Sequence, residues 1–384
     1  MLYAQNLESA RHEAIPLTTQ MASSPQPIIT EDAQPAAEER AWIRRLMPYR
    51  EPILLRSLFE LGVTSLALIA MWAAMLWSLS ISYWLTLALA IPAGGLMVRL
   101  FIIQHDCGHG AFFKNKMLND TIGWILGVLT MTPYEFWKRA HSLHHATSGN
   151  LDRRGVGDIT TLTVREYQEL SPARRLLYRL YRHPIVLLGF GPAYMFLIRH
   201  RLPVGLFKMS LATWTSTMAT NLAFAVFAIV MMWMFGIAPF LLIHLPIIVL
   251  AATFGVWLFY VQHQFEGTVW LRDDQWDMSK AALYGSSFYD LPPVLNWFSG
   301  NIGLHHIHHL CSKIPFYRLT QVMRDNPELG SIGRLTLRVS LGCINVTLWD
   351  ETRQKMVSFR DVKLPHLTPE ALAKDGVQTG SAQA

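Results

Sequence analysis

Three short clusters hold nine of the chain's 15 histidines: HDCGH at 105–109, HSLHH at 141–145 and HHIHH at 305–309. Neutral imidazole is the commonest protein ligand for first-row transition metals, and nine rings exceed what one four-coordinate ion uses. The count predicts two metal ions sharing one site. Spacing supports this, because residues three and four apart on a helix lie near one face. His105 and His109 are expected to converge, as are His141, His144 and His145, and again His305, His308 and His309. His306 lies roughly 100° around the helix from His305 and reads as a residue beside the ligands. Cys107, inside the first cluster, reads as a small buried filler.

The elements that must position these rings are apolar. Hydrophobic residues make up 51% of the chain and charged ones 16%, a balance unlike an ordinary soluble domain. Between Ser57 and Gln104 only Glu60 and Arg99 are charged, and from Met209 to Phe265 no Asp, Glu, Lys or Arg occurs. Since about 20 helical residues cross a bilayer core, each stretch holds two spans. Ser78, Ser80, Ser82 and Tyr83 break the first; Gly236, Ala238 and Pro239 break the second. The expected spans are 59–79, 84–104, 210–235 and 239–260. TIGWILGVLTM at 121–131 is too short to cross and is expected at the membrane surface or under a cap.

Four spans put all three clusters on one side of the membrane, together with both ends of the chain. Lys114, Lys116, Lys138, Arg139, Arg153, Arg154, Arg174, Arg175, Arg179 and Arg182 share that side, while the two tight hairpins carry no cation. The positive-inside rule makes this face cytoplasmic. Three cysteines form no pairing framework and suit a reducing compartment. Residues 1–40 and 351–384 read as polar tails flanking a domain at 41–350. Nothing indicates a nucleic-acid partner, a nucleotide-binding glycine loop or a fused electron-transfer domain.

At these residues the chain resembles a known family. HDCGHGAFF, HSLHHATSGNLDRRGVGDI and NWFSGNIGLHHIHH are similar to the three histidine boxes of integral-membrane fatty acid desaturases, with a context like the delta-12/omega-6 branch. The resemblance runs from about Pro52 to Leu319. It implies an all-α integral membrane fold: four transmembrane helices with a cytosolic helical cap holding a di-metal site. It also implies that an isolated histidine after the last span, His263 in YVQHQFEG, joins the ligands. The implied set is His105, His109, His141, His144, His145, His263, His305, His308 and His309. In some relatives an Asn four residues before the isolated histidine holds a metal-linked water; here that position is Phe259, and Asn301 or Asn296 is a substitute only if it escapes the turn-forming role its Gly-rich setting favours.

Removing hydrogen from an unactivated alkyl chain is beyond any side-chain acid, base or nucleophile, so the implied reaction needs a redox metal and O2. The expected cofactors are two non-haem iron ions, with O2 as co-substrate and an external electron donor. A membrane lipid acyl chain is the expected substrate, reached through an apolar tunnel that FWK at 136–138 and WLFY at 257–260 are placed to line. The net charge of +6 favours an acidic donor such as ferredoxin, or a cytochrome. Asp106, Glu135, Asp152, Asp158, Glu266 and Asp290 are candidates to orient the ligating rings. The remaining histidines, His12, His183, His200, His244 and His366, have no partner at ligand spacing. Two rivals stand beside this reading: an acyl hydroxylase on the same scaffold, and a histidine-rich metal transporter, which would need ionisable groups within its spans.

Overall fold

The computed structural model describes residues 35–155, 157–202 and 210–363. Four helices are long and apolar enough to cross a membrane: α1 (Leu54–Ser78), α2 (Tyr83–Gly108), α5 (Leu211–Phe235) and α6 (Ile237–His263). Between the second and third lie α3 (Lys116–Leu129) and α4 (Tyr134–Thr147); α7 (Met278–Tyr284) and α8 (His305–Leu310) follow the fourth.

Each expected span coincides with one of these helices, and two of the helices run further than the hydropathy does. The second continues past residue 104 to Gly108 and the fourth past 260 to His263, so His105 and His263 lie inside helices. Each apolar run stops there, but its backbone hydrogen bonds do not. α2 is the central helix, with 61% of its most apolar window buried against 6% for α5. Its contact with α6 is close. A Cβ at Gly94 would lie 3.0 Å from Leu250 Cβ and 3.3 Å from the Ala251 nitrogen, so a small residue is needed there. On α1 and α5, Leu66, Ile69, Trp77, Leu222, Ile229 and Trp233 are exposed, which suits helices whose outer faces meet hydrocarbon.

The two charges noted in the first apolar stretch meet in the interior. Arg99 Nη2 donates to Glu60, its Nη1 to the Trp297 carbonyl and its Nε to Thr64 Oγ1 at 3.2 Å. Arg56 also reaches Glu60, at 2.6 Å. A fully hydrogen-bonded pair is the form in which charge persists in such a setting.

Beyond the spans the chain folds back over one end of the bundle. α3 buries Asn119, Gly123, Leu126, Gly127 and Val128 and packs against α2, α5 and α4. Short strands tie the cap together. β1 (Leu162–Thr163) pairs parallel with β4 (Leu348–Asp350), which pairs antiparallel with β5 (Lys355–Val357); β2 (Phe288–Asp290) pairs parallel with β3 (Arg334–Thr336). The β4–β5 hairpin carries packed chain past the expected boundary at 350. Trp349 and Met356 are buried with Leu151 and Trp270, and Phe359 and Val362 pack against Tyr167 and Tyr178. The charged turn at 350–355 hides this at the sequence level. Residues 1–34 and 364–384, which hold His12, His366 and most of both expected tails, lie outside the described residues.

Candidate metal centre

Four helices end at the same place. α2 brings His105 and His109, α4 brings His141, His144 and His145, α6 ends on His263, and α8 carries His305, His308 and His309. The nine rings fall into two groups: His105, His109, His141, His145 and His308, and separately His144, His263, His305 and His309. Within each group one candidate ligand atom per residue lies within 4.8 Å of all the others.

The expected convergence of three rings from one helix is corrected here. His141 and His145 are together, their centroids 4.6 Å apart, whereas His144 lies 5.8 Å from each and joins the other group. The third box does the same in mirror order. His305 and His309 are 4.6 Å apart, while His308 crosses over to His141 and His145. Helical geometry explains this: at 100° per residue the i+4 ring lies about 40° from the first and the i+3 ring about 60° away on the opposite side. Two facing helices therefore each give a close pair to one group and a single ring to the other.

The ring nitrogens fit cations better than they fit each other. In the smaller group His144 Nδ1–H donates to Asp158 Oδ1 at 2.5 Å, and His263 Nδ1–H donates to the Gly285 carbonyl at 3.2 Å. A neutral imidazole has one N–H, so the Nε2 atoms of these two rings, 3.2 Å apart, face each other with lone pairs. His263 and His305 repeat the Nε2 contact at 3.0 Å, and His305 and His309 at 3.1 Å. In the larger group His145 Nε2 is 3.1 Å from both His141 Nε2 and His308 Nε2, and His109 Nε2 is buried with no partner. Two Nε2 lone pairs that face each other, as those of His144 and His263 do, are what a metal ion satisfies. Burial holds His109, His141, His145, His305, His308 and His309 well below the usual 6.5, which keeps these rings neutral and able to ligate.

Two of the six candidate orienting carboxylates touch a ligating ring. Asp158 is one. Asp106 is the other: its Oδ1 accepts His105 Nδ1–H at 3.2 Å while its Oδ2 takes the Phe316 N–H at 2.6 Å. Asp152 pairs with Arg272, Glu266 with Lys355 and Asp290 with Arg334, and Glu135 sits in the first turn of α4 away from the rings. The close approach of Asp158 depends on Gly157. That residue has φ +72°, and a Cβ on it would lie 3.2 Å from both His144 Cβ and the Ala140 carbonyl. Sequence reasoning missed Gly157, although the glycines of DRRGVGD mark a chain that must turn sharply.

His306 is fully buried and outside both groups. Its Nε2–H donates to the Leu329 carbonyl at 3.1 Å, and burial pushes its pKa down to about 4. Cys107 is buried and also outside them, as a filler would be. Asn301 forms the turn before α8, with φ +55° and its Nδ2 donating to the Phe316 carbonyl, and the main-chain carbonyl of Asn296 accepts from Ser299 Oγ. Phe259 lies against the rings of His144 and His263, at 5.1 and 5.2 Å. Trp137 stacks on His141 at 4.7 Å and 16°. The other members of the two aromatic runs serve packing: Trp257 donates to Tyr289 and Tyr260 to the Cys343 carbonyl. His183 is exposed, His200 Nδ1 and His244 Nε2 are buried without partners, and none of the three belongs to either group.

A family model described as "Fatty acid desaturase" matches residues 82–335, which span the four helix ends and all nine rings. A protein of Bacillus subtilis named "Fatty acid desaturase" is 42% identical over 340 residues, covering 87% of this chain and 96% of the relative. A "sn-1 acyl-lipid omega-3 desaturase (ferredoxin)" of Synechocystis is 33% identical, covering 74% of this chain and 79% of its own length. An "Acyl-lipid omega-3 desaturase (cytochrome b5), endoplasmic reticulum" of Arabidopsis thaliana is 27% identical over 79% of this chain and 76% of its own. Matched in both directions over most of their length, and with the boxes gathered at one end of four membrane-length helices, the chain belongs to the fatty acid desaturase family of membrane oxidoreductases.

Proposed function

We propose that this desaturase inserts a cis double bond into the acyl chain of a membrane lipid, at a delta-12/omega-6-like position, through two irons held by the nine histidines. The observation that carries the reading is the division of nine buried or half-buried imidazoles into two adjoining sets with convergent Nε2 atoms. When bound, an iron pair supplies the O2-derived oxidant that an unactivated CH2–CH2 unit demands. The balance is two hydrogens from the chain, O2, two electrons and two protons, giving an alkene and two waters.

The residues of this chain do the rest. His144 and His263 are locked in one tautomer by Asp158 and the Gly285 carbonyl, and His105 is aimed by Asp106, so their Nε2 lone pairs point inward. Phe259 and Trp137 place apolar surface directly against the ligating rings, which excludes water from the space an alkyl chain would enter. His109, His141 and His145 are partly exposed, whereas the four-histidine group is buried, so the larger group faces the side from which electrons arrive. The donor is of ferredoxin or cytochrome type, as the names of the relatives suggest for those proteins, and the net charge of +6 favours an acidic one. The histidine-bearing end and both chain termini face the cytoplasm, in keeping with the cations on that side.

Expression in a host that makes only monounsaturated lipids, with double-bond positions mapped by mass spectrometry, tests the reading. A diene two hydrogens lighter than its precursor, with the new bond on the methyl side, is the expected product. The omega-3 names among the relatives mark the position that would correct the regiochemistry. A product heavier by one oxygen would replace desaturation by hydroxylation.

A further inference from the structure

A cavity of about 10 Å³ lies beside the four-histidine group, lined by Asp158, Phe259, His263, Gln264, Trp270 and Gly285 among others. This is the room that one water needs. Two of the lining residues carry buried polar atoms with no partner, Asp158 Oδ2 and Trp270 Nε1. An ionised carboxylate oxygen only accepts and an indole nitrogen only donates, so the two are complementary. Neither is served by bulk solvent: the Asp158 side chain is 7% exposed and Trp270 5%.

We propose that this cavity is a binding site for a single water that bridges Trp270 to Asp158. The indole N–H donates to the water oxygen, and one water O–H donates to Asp158 Oδ2. The other carboxylate oxygen already accepts from His144 Nδ1. With both oxygens engaged, the carboxylate plane is fixed, and with it the ring of His144. Trp270 is thus a positioning residue for one ligand of the four-histidine group, acting through the water and Asp158. The scaffold keeps the two sides of the cavity in register, since Leu151 N–H donates to the Leu271 carbonyl and Leu271 N–H to the Gly149 carbonyl. Trp270 is itself packed against Leu151, Trp349 and Met356. The five-histidine group has no share in this arrangement, so its influence falls on one of the two metal positions.

The inference rests on the nine histidines being iron ligands, and wild-type protein separates the two claims: purified wild type that holds no iron overturns that reading. Given loaded wild type, the test is Trp270→Phe, which keeps an aromatic ring and removes the donor. Full-length wild type and variant are loaded with iron, challenged with a chelator, and iron release is followed per chain. The expected result is that one of the two irons leaves the variant about tenfold faster, the scale on which groups behind the ligands act, while the other leaves at the wild-type rate. A high-resolution cryo-EM map of the wild type is expected to show a water within hydrogen-bonding distance of Trp270 Nε1 and Asp158 Oδ2. Unchanged release, equally faster release of both irons, or a dry cavity in the wild-type map overturns the proposal. The map decides alone if the variant does not fold.

Discussion

His144 and His308 each cross from the box that carries them to the metal group built mainly by the other. This exchange couples the two groups, because α4 and α8 cannot move apart without opening both. It also gives Asp158 a particular weight, since it orients the one ring that α4 contributes to the buried group. Asp158→Asn removes the negative charge and leaves an acceptor. Iron affinity is expected to fall about 10- to 100-fold in a chelator competition, with secondary structure by circular dichroism unchanged; equal affinity would show that the carboxylate is dispensable. Eight of the nine ligand candidates were legible because imidazoles at helical spacing announce themselves; the isolated His263 entered only through the family resemblance. Their division was not, because offsets of three and four look equivalent in sequence and differ only by the side of the helix on which the ring emerges. Asp106 and Asp158 could not be told from Asp152, Glu266 and Asp290 for a similar reason: the last three find arginine or lysine partners far away in sequence.

The helices position the rings through their ends, and the apolar pattern reads middles better than ends. The expected spans stop at 104 and 260, yet α2 and α6 run on far enough to hold His105 and His263 rigidly. A ligand on a regular helix is held more precisely than one on a loop. The fixed spacing of α1 and α2 rests in part on Glu60, which is 2% exposed and shared by Arg99 and Arg56. Glu60→Ala would leave Arg99 charged, buried and unpaired. A loss of roughly 3–5 kcal/mol is expected from breaking such a pair, seen as earlier thermal unfolding in detergent, and replacing Glu60 and Arg99 together by apolar residues should cost less. If the single and double variants unfold alike, the pair is not what holds these helices. The β4–β5 hairpin was missed for another reason: its pairing is a tertiary contact, with three-residue strands too short to show alternation.

At the scale of the whole molecule, two tight hairpins at one end of the bundle oppose a thick cap at the other. Four membrane-length helices, the number on which the parity argument rests, were legible from the apolar runs. The proposed orientation is checked with cysteine variants in a Cys311→Ser background, since Cys107 and Cys343 are buried. Ser80 is exposed in the first hairpin and Ser331 is exposed on the cap. A membrane-impermeant thiol reagent applied to intact cells should label Ser80→Cys and leave Ser331→Cys untouched until the cells are opened; the reverse pattern would put the metal centre outside.

If the nine imidazoles form two metal positions in one centre, the iron content of the protein reports it. Quantifying iron per chain in purified protein, alongside His263→Ala and His109→Ala, tests it most directly. Two irons per chain are expected in the wild type and about one in each variant, with the retained iron in a different group in each case. A wild type that holds a single iron, or zinc in place of iron, or variants that both keep two, would contradict it.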